Sequence, residues 1–358
     1  MKKILILANS PGGLYRFRKE LIQALIEEGN AVYLSVPDGE ILEPLKKIGA
    51  KVVDIHIDRR GINALKDSKL LIQYFRLVKR VKPDLIITYT IKPNIYGGLI
   101  SRFMKVPYIV NITGLGTAFQ GDGILKKIIV ILYKNSLKNV KYVFFENCGN
   151  KQTFISKNLI SEKKAVVLNG AGVNLEEYTF QEYPKVGPIR FLFIGRVMKE
   201  KGIEELFWAA EKIKQEYQHV EFDIVGGLEE DYKRRLESLA KDKVINYYGY
   251  QKNIKSFITK CHCIVLPSYH EGMSNVLLEG AAMGRPLITS NIHGCKEAVL
   301  NNGYLCNVAD KEDLYNCMKR FVELSQQEKE KMGLYSRKHM EDIFDKKIVV
   351  KKSINYIK

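Results

Sequence analysis

The chain has 358 residues, 46% of them hydrophobic, and a formal net charge of +17. That length suits two domains of about 100–200 residues each, and no run of about 18 apolar residues is present to cross a bilayer. Residues 1–164 carry 28 Lys and Arg against 13 Asp and Glu, so +15 of the excess lies there and +2 in the rest. This asymmetry directs the first half toward an anionic surface or ligand.

In chain order, "MKKILILANSPGG" has only a five-residue apolar run, too short for a signal peptide, and reads as a strand entering a glycine loop. The helix "LYRFRKELIQALIEEG" follows, then strands "AVYLSV" and "KVVDIHI", then a long helix from Asn63 stopped at Pro83. "DLIITYT", "PYIVNIT" and "KYVFFEN" read as further strands. Short apolar runs alternating with helices predict a parallel sheet covered on both faces. Near residue 169 the character changes: "NGAGVNLEEYTFQEYPKVGP" is rich in Gly, Asn and Pro and reads as a linker. Alternation restarts at "IRFLFIGR" and runs through "VEFDIVGG", "KVINYYGY", "CHCIVLP" and "PLITS". The fold class is therefore α/β, with two doubly wound, Rossmann-like domains in series. Their extents are 1–168 and 169–341, with a closing helix at about 342–358 packing back on the first. Ligands of such sheets bind at the carboxyl ends of the strands, which makes the cleft between two domains the expected active site. Neither domain opens on G-x-G-x-x-G, which argues against a nicotinamide dehydrogenase. The six cysteines show no disulfide or zinc spacing and read as reduced thiols of a cytoplasmic protein.

The stretch "LPSYHEGMSNVLLEGAAMGRPLIT", Leu266 to Thr289, carries the densest signal. Ser274 is suited to cap a short helix from Asn275 that ends at Gly284. The free amides and dipole of its first turn favour an anion. Gly272 lets backbone approach a ligand. Glu271 in the loop and Glu279 a turn inside the helix are two acceptors for different hydroxyls, as a sugar and a ribose require. Glu279 read alone is also consistent with a solvated helix residue. Upstream, "FIGRVMKEKG" puts Arg196 just past a strand and Lys201 before a helix, where two cations suit a diphosphate. No D-x-D motif or carboxylate cluster suited to Mg²⁺ is present, so no metal or other cofactor is assigned and the cations take the metal's role.

"GRVMKEKG" and "SYHEGMSNVLLEGAAMGRPLI", with Glu271 and Glu279 as an E-x7-E pair, resemble the donor-site motifs of the GT4 family of retaining glycosyltransferases with the GT-B fold. "NSPGG", "DRRGIN", "TIKPNIYGG" and "ITGLGTAFQG" extend the resemblance over nearly the whole chain. They are similar to bacterial members of capsule, O-antigen and protein-glycan assembly, among them N-acetylgalactosaminyltransferases acting on undecaprenyl-diphosphate-linked glycans. The resemblance implies a UDP-sugar donor in the second domain and a polyprenyl-diphosphate-linked saccharide acceptor in the first. By position it implies that Arg196 and Lys201 bind the donor diphosphate and that Glu271 contacts the transferred sugar. Gly272, Met273, Ser274 and Asn275 would contact sugar and phosphates, Glu279 would hold the ribose, and Tyr250 and Gln251 would meet the base. Gly12 and Gly13 match the family's N-terminal glycine loop. Many relatives carry a histidine where this chain has Thr113, Gly114 and Gly116. No catalytic histidine is assigned, and Thr113 and Gly114 are placed with the acceptor. His270, beside Glu271, is read as shaping the loop, while His293 is left open.

Arg59, Arg60 and Lys92 are further candidates for an acceptor's diphosphate, against the alternative of solvated surface charges. The segment from Gly123 to Lys141, "GILKKIIVILYKNSLKNVK", reads either as a basic amphipathic helix on the inner face of the plasma membrane or as an ordinary helix with its apolar side in the core. Nucleic acid is not expected, since no binding module or basic tail appears. The remaining alternatives are a nucleotide-sugar epimerase of the same architecture and a non-catalytic nucleotide-sugar-binding protein.

Overall fold

The short apolar runs become parallel strands because the central ones are buried on both faces and each is followed by a return over the sheet, usually helical. The computed structural model describes residues 1–37, 42–55, 64–116 and 123–358. Two units result, Met1–Ala171 with Lys347–Lys358, and Gly172–Lys346.

Among the described residues the first unit holds seven strands: β1 (Lys3–Leu7), β2 (Ala31–Val36), β3 (Lys51–Asp54), β4 (Leu85–Tyr89), β5 (Tyr108–Ile112), β6 (Tyr142–Phe145) and β7 (Ala165–Val167). Their order is β3-β2-β1-β4-β5-β6-β7, all pairs parallel, with Leu5 opposite Tyr33 on one side and Ile86 on the other. Its helices are α1 (Pro11–Glu27), α2 (Leu42–Lys47), α3 (Ala64–Val81), α4 (Gly98–Phe103), α5 (Ile124–Ser136) and α6 (Cys148–Ser156). Leu70, Tyr74, Ile129 and Tyr133 of α3 and α5 share one core, and Leu21, Ile22 and Leu25 of α1 share the other.

The second unit holds β8 (Ile189–Ile194), β9 (Val220–Val225), β10 (Asn246–Tyr247), β11 (Cys263–Leu266), β12 (Leu287–Ser290) and β13 (Gly303–Cys306), in the order β10-β9-β8-β11-β12-β13, again parallel. Its helices are α7 (Ile203–Glu216), α8 (Lys233–Lys241), α9 (Lys255–Lys260), α10 (Asn275–Ala282), α11 (Lys311–Glu323) and α12 (Gln326–His339). The last helix, α13 (Lys346–Ile357), places Val349, Ile354 and Ile357 in the α1 core of the first unit, where the Tyr356 and Tyr142 rings meet at 5.0 Å. Both sheets are thus doubly wound, with the chain reversing direction between β1 and β4 and between β8 and β11. Among the described residues no helix is long and apolar enough to cross a membrane.

Candidate active site

In a doubly wound sheet the loops after the two central strands diverge and leave a crevice between them. In the second unit these loops are Gly195–Gly202 after β8 and Pro267–Ser274 after β11. Two glycines draw the strand ends together. Gly226, after β9, has φ +151°, and a β-carbon there would lie 1.7 Å from the Gly195 carbonyl oxygen. Its amide donates to the Gly249 carbonyl past β10 at 2.8 Å. Gly202 has φ +68°, and a β-carbon there would lie 2.1 Å from the Pro267 carbonyl oxygen, so only glycine lets the two crevice loops touch.

That contact sets up the chemistry. Lys199–Lys201 form a single 3-10 turn that ends at Gly202 and delivers Lys201 to the opposite loop. The Lys201 ammonium lies 2.5 Å from Glu271 Oε1, with both side chains under one-fifth exposed. The buried Ser268 hydroxyl donates to the same oxygen at 3.0 Å. Glu200 secures the junction from its other side: its carbonyl accepts from the Tyr269 amide at 2.9 Å and its carboxylate lies 3.4 Å from His270 Nε2. His270 therefore ties the two loops. Arg196 stands apart, 55% exposed, with Nη1 3.5 Å from Glu229 Oε1. It is an exposed cation just past a strand end, in the same loop as the partly buried Lys201.

The loop after β12 holds the Glu271–Ser274 segment from beneath. Gly294 has φ +93°, and a β-carbon there would fall 2.6 Å from the Gly272 carbonyl oxygen. The Ser274 amide donates to the Gly294 carbonyl at 2.8 Å. The expected free amide of Ser274 is thus committed to the fold. Glu297 fixes this loop, accepting from the Gly294 amide at 2.7 Å and meeting His293 Nδ1 at 2.8 Å. Nothing in the local pattern of "NIHGCKE" announces this clamp except a glycine three residues before a glutamate. Burial, with Glu271 close by, pushes the Cys295 thiol well above its usual range and keeps it neutral under the site.

Ser274 occupies the N-cap position of α10 without the side-chain capping bond expected of it, Asn275 opens the helix, and Met273 is buried. Gly280 packs α10 tightly on β11, where a β-carbon would fall 2.5 Å from Ile264. Glu279 is buried at 8% exposure, which sets aside the alternative of a solvated helix residue. Tyr250 and Gln251 follow β10; Tyr250 is 65% exposed, and the Gln251 side-chain amide donates to the Tyr248 carbonyl at 2.7 Å. Arg196, Lys201, Glu271 and the loop to Ser274 therefore share the crevice, while Tyr250 and Gln251 lie two strands away along the same carboxyl edge.

In the first unit, Gly12 and Gly13 lie in the opening turn of α1 at the carboxyl end of β1, and the Gly13 amide donates to the Ser10 side chain at 3.1 Å. Thr113 and Gly114 follow β5 and are half-buried. Lys92 is buried, with its ammonium 2.9 Å from Asp67 Oδ1, so its charge already has a structural partner. Arg59 and Arg60 lie outside the described residues.

Two family descriptions match this chain: "Glycosyl transferase 4-like" over residues 3–147 and "Glycosyl transferases group 1" over residues 188–323. A Campylobacter jejuni relative, N,N'-diacetylbacillosaminyl-diphospho-undecaprenol alpha-1,3-N-acetylgalactosaminyltransferase, is 27% identical over 87% of each chain. An Escherichia coli relative, UDP-Gal:alpha-D-GlcNAc-diphosphoundecaprenol alpha-1,3-galactosyltransferase, is 27% identical over 74% of this chain and 73% of its own. The Staphylococcus aureus capsular polysaccharide biosynthesis glycosyltransferase CapM is 24% identical over 92% and 90%. Among solved structures, Anabaena HepE in complex with UDP and glucose superposes with a TM-score of 0.82 at 17% identity, covering 100% of this chain and 99% of that one. That likeness establishes a shared GT-B fold.

Proposed function

The chain belongs to the group 1 and 4-like glycosyltransferases, and from that premise we propose that it transfers a sugar from a UDP-sugar to a lipid-diphosphate-linked saccharide in the assembly of a cell-surface polysaccharide or glycan. The relatives' names support this donor and acceptor, and the Campylobacter relative supports an N-acetylhexosamine as the sugar moved. They favour an acceptor-using reaction over an epimerase or a passive binding protein. A lipid-linked acceptor also fits the +15 of the first 164 residues and work at the inner membrane surface.

The observation that carries the reading is the Lys201–Glu271 pair across the crevice of the second sheet, with the exposed Arg196 in the same loop after β8. An ammonium has three donors. One serves Glu271 and two remain for a diphosphate, to which Arg196 adds a planar fork. The edge from β10 to β11 spans three strand spacings, roughly 14 Å, which suits an elongated ligand with its base by Tyr250 and Gln251 and its sugar by Glu271. Glu279 then holds the ribose.

The reaction we infer is retaining and independent of metal. The bond between the sugar's anomeric carbon and the donor phosphate oxygen breaks, and the acceptor hydroxyl oxygen bonds to that carbon from the same face. The acceptor's proton passes to the departing phosphate. Arg196 and Lys201 stabilise the charge that grows on the diphosphate, as preorganised donors at that position do, while Glu271 orients the sugar. Incubation with labelled UDP-sugars and a polyprenyl-diphosphate saccharide in excess chelator tests this. Label should enter the organic phase with the donor's anomeric configuration. Transfer that stops in chelator, or an inverted product, overturns the mechanism; an altered free sugar without transfer restores the epimerase.

A further inference from the structure

Alternate residues of a strand face opposite sides of its sheet. In β9, Phe222 and Ile224 turn to one side, where Phe222 stacks on Phe191 at 5.3 Å and Phe191 meets Phe321 of α11 at 5.7 Å. Glu221 and Asp223 turn to the other. Arg190 of β8 lies opposite Glu221 in register, and Asn246 of β10 lies opposite Asp223, so four polar side chains share that second face. They are bonded to one another. Arg190 Nη1 lies 2.6 Å from Glu221 Oε2 and 3.3 Å from Asp223 Oδ2. Asp223 Oδ1 accepts from the Asn246 side-chain amide at 2.9 Å and from the Tyr248 hydroxyl at 3.3 Å.

A polar strip beside a sheet edge is ordinarily open to water. This one is walled. Pro184 and Pro188, in the chain leading into β8, line one side and α9 lines another, around a pocket of about 650 Å³. Small-molecule sites run from about 300 to 1,000 Å³. The pocket is separate from the crevice described above: Arg190 is at the amino end of β8, whereas Arg196 follows its carboxyl end.

The charges lining the pocket cancel, Arg190 and Lys260 against Glu182 and Asp223. An anion would meet two carboxylates, and a cation two basic groups. An uncharged polyol suits both, because a hydroxyl donates to a carboxylate and accepts from a guanidinium or an ammonium. Tyr248 and Phe257 add apolar surface, their rings 4.9 Å apart and inclined at 65°. That tilt offers a ring face to the C–H side of a sugar and no parallel slot for a flat base.

We propose that this pocket binds an uncharged saccharide unit, laid on Tyr248 and held by Arg190, Asp223 and Lys260. The inference goes beyond the transfer reaction and stands without it. In a glycan-building enzyme it supplies a second hold on sugar, on a flank of the second unit instead of in its crevice.

Saturation-transfer NMR on the full chain with lactose and with N,N'-diacetylchitobiose, both in saturating UDP, tests the proposal. At least one disaccharide should receive transfer, and spermidine, inorganic phosphate and uracil should not displace it. Ser256, on the exposed rim, bonds only the Asn253 carbonyl, at 3.4 Å. Ser256→Trp fills the pocket without removing any group that holds the sugar and should abolish the signal. Thr259→Trp, at a second exposed position of the lining, should do the same. Tyr248→Leu should weaken binding by about threefold to tenfold. The melting shift with UDP should match the parent's in both tryptophan variants, which shows them folded. No transfer to either disaccharide, a signal that survives both tryptophan variants, or displacement by spermidine, phosphate or uracil overturns the proposal. Sugar binding without any UDP shift leaves this pocket standing and removes the donor reading; a UDP shift without sugar binding does the reverse.

Discussion

The α-carbon of Gly202 sits so close to Pro267 that a β-carbon would lie 2.1 Å from the proline's carbonyl oxygen. This approach puts the Lys201 turn against the Glu271 loop. Gly202→Ala meets both that clash and φ +68°. We expect a loss of at least about 2 kcal/mol and a fall in Tm of roughly 4–8 °C, with donor affinity falling in step. Thermal melts with and without UDP read both; an alanine variant that melts like the parent contradicts the crevice described here.

Arg196 and Lys201 should separate by their stability effects. Arg196 is half-exposed and only 3.5 Å from Glu229, so Arg196→Ala should leave Tm within about a degree, as exposed pairs contribute little. It should lower kcat by about 10²-fold. Lys201→Ala removes the partner of a carboxylate that is 15% exposed. It should lower kcat similarly and also destabilise by on the order of 1–3 kcal/mol. Steady-state kinetics and melts on both variants decide it, and an unchanged kcat in either removes that residue from the charge-stabilising role.

Glu297 tests the clamp beneath the site. Glu297→Ala frees the Gly294 amide and His293 together, loosening the loop to which the Ser274 amide is bonded. The expected result is a rise in donor KM of about tenfold with a smaller change in kcat, since the loss is one of preorganisation. Glu297→Gln, which keeps one acceptor oxygen, should recover part of it. A KM that does not move places Glu297 outside the donor's support.

His262 gives a pH signature. Burial, reinforced by the nearby Arg285, Lys329 and Arg190 cations, lowers its pKa from 6.5 to about 4, and Nδ1 accepts from the Arg190 amide at 3.1 Å. Because the folded pKa lies below the unfolded one, the unfolded chain binds the extra proton between them. Stability is full above about pH 6.5 and is lost as pH falls toward 4, by on the order of 3 kcal/mol from this group. His262→Gln should flatten that part of the profile. Denaturant titrations of both proteins from pH 7 to about pH 4 would show it, and parallel profiles would refute it.

The two parallel sheets were legible because their strands are short apolar runs separated by helical periods, and β1, β2, β4 and β5 lie where those runs predict. That Arg196, Lys201 and Glu271 lie in the loops after β8 and β11, where a doubly wound sheet leaves its crevice, could be read from the apolar runs that precede them. What escaped were groups whose partners are distant. Asn94 and Lys92 look like surface residues, yet Asn94 accepts from the Thr88 hydroxyl at 2.7 Å and donates to the Asn111 carbonyl at 2.8 Å, while Lys92 meets Asp67. Glu297 and Gly294 lie twenty or more residues past the loop they support. Ile128 to Leu132 read as apolar all round, and only packing on the sheet shows which isoleucines face out.

The central claim is that the crevice of the second sheet grips a diphosphate. Calorimetric titration of uridine, UMP and UDP into the full chain and into an Arg196→Ala, Lys201→Ala double variant tests it most directly. The account predicts that UDP binds the parent far more tightly than uridine and that the double variant loses about a hundredfold of UDP affinity, near 3 kcal/mol, while uridine binding stays the same. UDP that binds the double variant as well as the parent would contradict it.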